Sequence, residues 1–268
     1  MKEVLIKEYN NLKNLRIKPK KDDFLYNIHF VEGAFCEIRG AEDTEFRIEF
    51  IDKKDGKFLH HHDINNNMWT RTNTRYFVDY LIRVKNRNTG EVIHECEYNA
   101  KGKRVMICFD SKAIGDTLAW FPYVEEFRKK HQCEVIVSTF HNEWFKDNYP
   151  DLEFIEPGDT AYNLYARYDI GWYYDKAEYD ENNTINFNKT PTDFRKNPLG
   201  KTCADILGLD FKEIKPKLTF KNTGSTIEGD YVVIAPHGSA HAKYWNREGG
   251  WQDVIDYLNN KGYKVVMI

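Results

Sequence analysis

Lys103–Lys130 reads KRVMICFDSKAIGDTLAWFPYVEEFRKK, and its patterning decides the fold class. Val105-Met106-Ile107-Cys108-Phe109 is an apolar run of strand length, followed by the polar turn Asp110-Ser111-Lys112 and then Ala113-Ile114-Gly115-Asp116. Beyond the turn, Leu118, Phe121, Val124 and Phe127 recur at helical spacing, with Glu125, Arg128, Lys129 and Lys130 on another face. An apolar strand, a polar turn with a glycine and an amphipathic helix are how a nucleotide-type α/β domain begins. Ligands of such sheets bind beyond the carboxyl ends of the strands, so Ser111–Asp116 occupy the place where chemistry is done.

The whole chain has 268 residues and a net charge of -3, with a pI near 6.3. That length predicts two domains, or two and a fragment. Near-neutral charge argues against a dedicated nucleic-acid binder, which carries a basic face. Aromatic residues make up 15% of the chain, enough bulk for a core, so the mean hydropathy of -0.70 reflects polar loops rather than disorder. The N-terminal residues lack the apolar stretch of a signal peptide, and no run approaches the roughly 18 apolar residues of a membrane span. The five cysteines, Cys36, Cys96, Cys108, Cys133 and Cys203, are scattered and form no C-x-x-C pair, which predicts free thiols in a reducing cytoplasm.

On the amino-terminal side of the opening stretch, residues 1–21 read as a lysine-rich arm or short helix. From 22 to 102 the period changes to two. Leu25–Phe30, Phe46–Phe50, Tyr76–Val84 and Val92–Tyr98 alternate, and turn signals separate them at Gly40–Asp43, Lys53–Gly56, Asn65–Asn67 and Asn86–Gly90. Short alternating strands at this spacing predict an antiparallel β sandwich or barrel. His60-His61-His62-Asp63 lies within it. Adjacent histidines on a strand point to opposite faces, so the cluster reads as a polar strand end rather than a metal site.

On the carboxyl-terminal side the pattern stays α/β over 103–222. Glu134–Ser138, Glu153–Ile155 and Tyr168–Tyr173 read as strands, His141–Asn148 as a short helix, Asn182–Asn197 as a loop, and Leu199–Leu207 as a helix with Gly208 as its C-cap. Leu218–Glu228 reads as an irregular linker. A second α/β unit spans 229–268: strand Tyr231–Ala235, turn Pro236–Ser239, helix Trp251–Asn260 and strand Tyr263–Ile268. One helix between two strands cannot cover both faces of a parallel sheet. The second unit is therefore expected to be the start of a domain that continues in a longer protein.

Two constellations could carry chemistry. Asp116, after a glycine at the mouth of a strand, could accept a proton from a hydroxyl. It could equally be the N-cap of the helix that Thr117 begins, and Pro122 fits a helix start near Asp116. The second is Pro236-His237-Gly238-Ser239-Ala240-His241-Ala242-Lys243-Tyr244-Trp245. Small and hydroxyl residues after a strand let backbone N–H groups approach a phosphate, and Lys243 adds a point charge. The glycines and Lys-Ser/Thr pair of a P-loop are absent. The alternative is a solvated loop with Trp245 packed in the core. Arg195 and Lys196 could touch an acceptor or be solvated. The aromatics Trp69, Tyr76 and Tyr80 could be a contact between subunits or part of the core.

Taken together, Ile114-Gly115-Asp116 with Pro122, and Ile234–Ser239 with Lys243, Trp245 and Trp251, resemble the family 9 glycosyltransferases, the ADP-heptose heptosyltransferases. With a β-rich domain ahead of the core, the chain is most similar to the autotransporter strand-loop-strand O-heptosyltransferases among them. The resemblance covers roughly Phe24 to Ile268. It implies an α/β fold of GT-B type: an all-β N-terminal domain, an acceptor-side Rossmann-like domain, and an incomplete donor-binding one. It further implies transfer of a heptose from ADP-heptose to a hydroxyl acceptor, by single displacement with inversion, in a cleft between the two Rossmann-like domains. The acceptor would be serines of an autotransporter adhesin, or a glycan.

In that reading Asp116 is the base, with Lys112, Gly115 and Thr117 on the acceptor side. Ser239, Lys243, Gly238 and His237 hold the donor diphosphate without a metal. The cysteine-bound iron that the resemblance implies has no counterpart in this chain: either it lies beyond Ile268 or this protein lacks it. A cytoplasmic homo-oligomer is expected, with no nucleic-acid partner. The competing readings are a GT-B enzyme using another nucleotide sugar on a glycan or lipid, and a non-catalytic sugar- or protein-binding module.

Overall fold

A computed structural model describes residues 24–40, 42–176, 183–219, 224, 227–238 and 241–268. The expected N-terminal arm, the turn residue Ala41, part of the 218–228 linker and Ser239 lie outside the described residues. The chain divides into two compact units, Met1–Thr219 and Phe220–Ile268.

The first unit opens with two antiparallel sheets. Strands β1 (Phe24–His29), β2 (Phe35–Gly40) and β5 (Met68–Arg71) form one, in the order β1-β2-β5. Strands β3 (Glu45–Asp52), β4 (Lys57–Asn65), β6 (Tyr80–Asn86) and β7 (Val92–Glu97) form the other, in the order β4-β3-β6-β7. Alternation sets the faces, as period two requires. Phe46, Ile48 and Phe50 of β3 and Tyr80, Ile82 and Val84 of β6 are buried. On the other face Arg47 pairs with Asp63, and Arg83 with Glu95.

Three strands differ from the sequence expectation. β2, β4 and β5 carry weaker apolar alternation than their neighbours, and the three histidines lie inside β4 rather than at a strand end. Tyr76–Asp79 fall outside β6, because Phe77 leaves the sheet: its N–H bonds the Ile206 carbonyl at 2.8 Å, and its ring meets those of Tyr98 and Phe127. Tyr80 is core at 3% exposure, whereas Trp69 is 55% exposed.

The α/β part of this unit has four parallel strands, β8 (Arg104–Phe109), β9 (Glu134–Ser138), β10 (Leu152–Phe154) and β11 (Leu164–Ile170), in the order β10-β9-β8-β11. β8 is hydrogen-bonded on both sides and buried from Val105 to Phe109, which is why it reads as an unbroken apolar run rather than an alternating one. Helix α1 (Ile114–His131) follows, and α2 (Leu199–Ile206) packs on it. α1 buries Trp120, Phe121, Tyr123, Val124 and Phe127, so it is covered on more than the one face expected. It starts at Ile114 rather than near Asp116, leaving Pro122 in the helix interior. A proline there has no N–H to give the carbonyl a turn back. His141–Asn148 forms two 3₁₀ turns in place of a helix, and β11 ends at Ile170, before Trp172. The two parts share one core: Phe30, just past β1, bridges to Ala166 of β11, and its N–H bonds the Tyr165 carbonyl at 2.6 Å.

The second unit has the expected strand–turn–helix–strand order. β12 (Tyr231–Ile234) and β13 (Lys264–Met267) pair in parallel, with Val232 opposite Val265, and α3 (Gly250–Asn260) connects them. Among the described residues no helix is long and apolar enough to cross a membrane. All five cysteines are free thiols, four of them buried. Burial pushes the Cys36 and Cys108 thiols up to about 12.

One buried histidine ties stability to pH. His29 is 8% exposed, stacks on Phe35 at 4.4 Å between ring centroids, and its Nδ1 accepts the Val31 N–H at 3.3 Å. Burial, helped by the nearby Arg71 charge, lowers it to about 4. The unfolded chain therefore binds a proton at His29 that the folded chain refuses between about pH 6.5 and 4. Its contribution is complete above about pH 6.5 and is lost as pH falls through that window. We expect stability in urea to drop by about 2 kcal/mol from this group between pH 7.5 and pH 5. His29→Phe should show a shallower pH dependence, and equal slopes for variant and wild type would contradict the assignment.

Candidate functional site

The strand order places a switch point at the end of β8. From β8 the chain proceeds outward through β9 to β10, while β11 lies on the opposite side. In open parallel sheets the loops leaving two such strands diverge and frame a crevice. Here those loops are Asp110–Ala113, after β8, and Gly171–Tyr173, after β11.

They meet at Asp116. The helix N-cap is Ala113, with no side-chain cap. Asp116 is therefore not the cap but a first-turn residue, where the helix dipole favours a carboxylate. Ser111 links loop and helix: its Oγ accepts the Ala113 N–H at 3.1 Å and donates to Asp116 Oδ2 at 2.6 Å. From the other loop, Trp172 Nε1–H donates to the same Oδ2 at 2.8 Å. Beside them the Tyr173 hydroxyl donates to Asp110 Oδ2 at 2.8 Å, and burial pushes the Tyr173 phenol far up. Asp169, at the end of β11, is raised by burial, against the pull of Arg167 at 2.8 Å.

The other acceptor-side candidates divide. Lys112 is exposed, with Nζ 5.1 Å from the centre of the Phe140 ring. Its carbonyl meets His141 Nε2 at 3.1 Å. Gly115 is exposed and borders a cleft of about 690 Å³ lined also by Leu118, Tyr123, Leu199, Phe211 and Ile214. Thr117 is fully buried, and its hydroxyl donates to the Ala113 carbonyl at 3.2 Å, which gives it a role inside the helix start. Arg195 forms a two-pronged pair with Asp193, at 2.9 and 3.0 Å, and Lys196 is largely solvated.

In the second unit His237 and Gly238 are exposed in the turn after β12. Lys243 closes the 3₁₀ turn His241–Lys243 and is exposed. Tyr244 lies against both His237 and His241, at 5.6 and 5.4 Å. Trp245 is 43% exposed rather than a core residue, and meets Trp251 edge-on at 5.3 Å.

The β4 histidines make no metal site. His60 and His62 share a face, 5.2 Å apart, over Phe50, and His62 Nδ1 is paired with the Thr70 hydroxyl. Among the described residues no group of three His, Cys, Asp or Glu could hold a metal ion.

Trp172 is the residue that sequence reasoning missed. It sits in an aromatic sequence that reads as strand, and only the glycine before it signals a chain turning out of the sheet.

No family model matches the chain. The chain is similar to the autotransporter heptosyltransferase Aah of Escherichia coli, at 33% identity over 84% of this chain and 55% of that protein. It is similar to BAHTCr, the autotransporter heptosyltransferase of Citrobacter rodentium, at 30% over 92% and 57%. BimC of Burkholderia thailandensis, at 28% over 74% and 45%, is named an inactive autotransporter heptosyltransferase. The fold matches the crystal structure of TibC, an iron-containing dodecameric glycosyltransferase from enterotoxigenic E. coli, with a TM-score of 0.78 at 27% identity over 94% of this chain and 63% of TibC. TibC has also been crystallised with ADP-D-β-D-heptose. The chain spans about half the length of the curated relatives it matches. Its curated homologues are thus autotransporter heptosyltransferases, and the resemblance read from the two motifs holds.

The crevice leaves Gly171 little room. A Cβ there would lie 3.0 Å from the Tyr173 hydroxyl and 3.1 Å from Asp110 Cβ. Gly171→Ala should push Tyr173 off Asp110 and cost about 1–2 kcal/mol of stability in urea denaturation. A loss below about 0.3 kcal/mol would show that these loops have slack.

Proposed function

We propose that this chain, a relative of the autotransporter heptosyltransferases, carries the acceptor-side part and the beginning of the donor-side part of a GT-B glycosyltransferase. In this reading residues 22–102 are an added β domain, 103–222 the acceptor-side domain, and 229–268 the start of the donor-binding domain. The enzyme moves a heptose from ADP-heptose to a hydroxyl acceptor; its relatives are named for autotransporters, and serines of such a protein are the acceptor we propose. The observation that carries the reading is the position of Asp116: a part-exposed carboxylate at the switch point of a parallel sheet, free of any capping duty.

The reaction is a single displacement. The acceptor O–H gives its proton to the Asp116 carboxylate as its oxygen bonds to the anomeric carbon. The bond from that carbon to the diphosphate breaks on the opposite face, inverting the centre and releasing ADP. Lys243 and the backbone N–H groups of His237, Gly238 and Ser239 take up the charge that develops on the leaving diphosphate. Lys112 and Gly115 border the acceptor, and Thr117 fixes the start of α1 from inside. The five free thiols fit a cytoplasmic setting. A homo-oligomer is part of the proposal, with TibC dodecameric and Trp69 exposed on β5.

The competing reading is a binding module without catalysis, and a relative named inactive gives it substance. A carboxylate fixed by two donors at the switch point of the sheet favours the enzyme. The deciding measurement is release of ADP from ADP-heptose in the presence of a passenger fragment. Asp116→Asn should lower transfer by about 10²–10⁴-fold while ADP-heptose still binds. Lys243→Ala should weaken donor use. Transfer by Asp116→Asn at the wild-type rate would overturn the base assignment. A wild-type protein that binds ADP-heptose and transfers to no acceptor would favour the binding module.

A further inference from the structure

The two hydrogen bonds to Asp116 are unevenly distributed. Ser111 Oγ and Trp172 Nε1 both donate to Oδ2, at 2.6 and 2.8 Å. Among the described residues Oδ1 receives no donor. A base acting on a bound hydroxyl needs that asymmetry: one oxygen held, the other with its lone pairs available. Two donors shared between the oxygens would instead compete with the acceptor for both.

The indole that supplies one donor is itself fixed. Its ring lies 5.3 Å from Trp120 of α1 and 5.0 Å from Phe194, both buried. Trp120 is in turn anchored by its own N–H to the Leu199 carbonyl at 3.0 Å. With two aromatic neighbours setting its plane, the Trp172 N–H has one direction available. Tryptophan donates and does not accept, so it cannot take the proton from Asp116 or relay it onward. Serine both donates and accepts, and here its Oγ accepts the Ala113 N–H while its hydroxyl hydrogen goes to Asp116.

We propose that Trp172 is a positioning residue for the transfer reaction. With Ser111 it clamps Oδ2 of Asp116 and leaves Oδ1 to receive the acceptor proton. This rests on the reading of Asp116 as the base. A clamp acts on the orientation of the carboxylate at the moment of proton transfer, so it should affect kcat and not the affinity for the donor.

The test uses the full-length protein, ADP-heptose and a passenger fragment, with ADP release as readout. Trp172→Phe keeps an aromatic ring between Trp120 and Phe194 and removes only the N–H. It should lower kcat about tenfold with the KM for ADP-heptose unchanged, and lower the thermal midpoint by only a few degrees, as loss of one hydrogen bond to a charged group does. Ser111→Ala should do the same, and Ser111→Thr, which keeps a hydroxyl, should restore the rate. A role in packing alone would move the thermal midpoint without a matching loss of kcat and would not distinguish threonine from alanine at position 111. If Trp172→Phe does not fold, the two Ser111 variants decide. The clamp is overturned if Trp172→Phe, or in its absence Ser111→Ala, transfers within twofold of wild type while Asp116→Asn does not. If Asp116→Asn itself transfers normally, it is the base that falls.

Discussion

β8 is the strand on which the first unit depends. Among the described residues it pairs on both edges within the parallel sheet and leads into α1. Its edges are taken up by β9 on one side, from Arg104 to Cys108, and by β11 on the other, from Arg104 to Phe109. That consumes the polar backbone and leaves five consecutive buried side chains, Val105 to Phe109. Full burial of a large apolar side chain contributes roughly 1.5–3 kcal/mol, so this one strand is worth a large fraction of a domain's net stability. Its central place also makes its carboxyl end the point where sheet order reverses. The stability of the sheet and the location of the crevice thus follow from the same pairing.

The β layer is joined to this sheet at a few specific places. Phe30 pairs with β11 as if it were a further strand. Phe77 leaves its own sheet to pack against Tyr98, Phe127 and Tyr168. Gly208 accommodates it: a Cβ at Gly208 would lie 2.1 Å from the Phe77 ring, and its φ of +63° is one that side chains disfavour. The Tyr98 and Tyr168 hydroxyls meet at 3.2 Å inside the core. These contacts make a single core from two sheet systems of different type.

Much of this was legible in the sequence where the physics is local. An apolar run announced β8, period two announced β3 and β6, and a helical stretch between two strands announced α3. β4 was not legible, because it lies at an edge of its sheet with polar groups on both faces. β5 was too short. The start of α1 was misread for an instructive reason: Asp is a good cap in isolation, but Ser111 takes the Ala113 N–H and the helix begins earlier. Of the proposed roles, that of Asp116 was suggested by its place after one strand, and that of Lys243 by its place after another. Trp172 was not, since a hydrogen bond between side chains 56 positions apart leaves no trace in local periodicity.

The aromatic content that composition could interpret only as core bulk has a more particular arrangement. Phe109, at the end of β8, meets Trp120 edge-on at 5.7 Å. Trp120 meets Trp172 at 5.3 Å, and Trp172 meets Phe194 at 5.0 Å. The line runs from the central strand through the helix to the loop after β11, and its members are too large to shift without opening a void. Aromatic pairs prefer offset or edge-on geometry, so each ring constrains the tilt of the next. A carboxylate on a solvent-facing helix turn would ordinarily sample several rotamers. Here its orientation is inherited, through an indole, from the packing of the strand at the centre of the sheet.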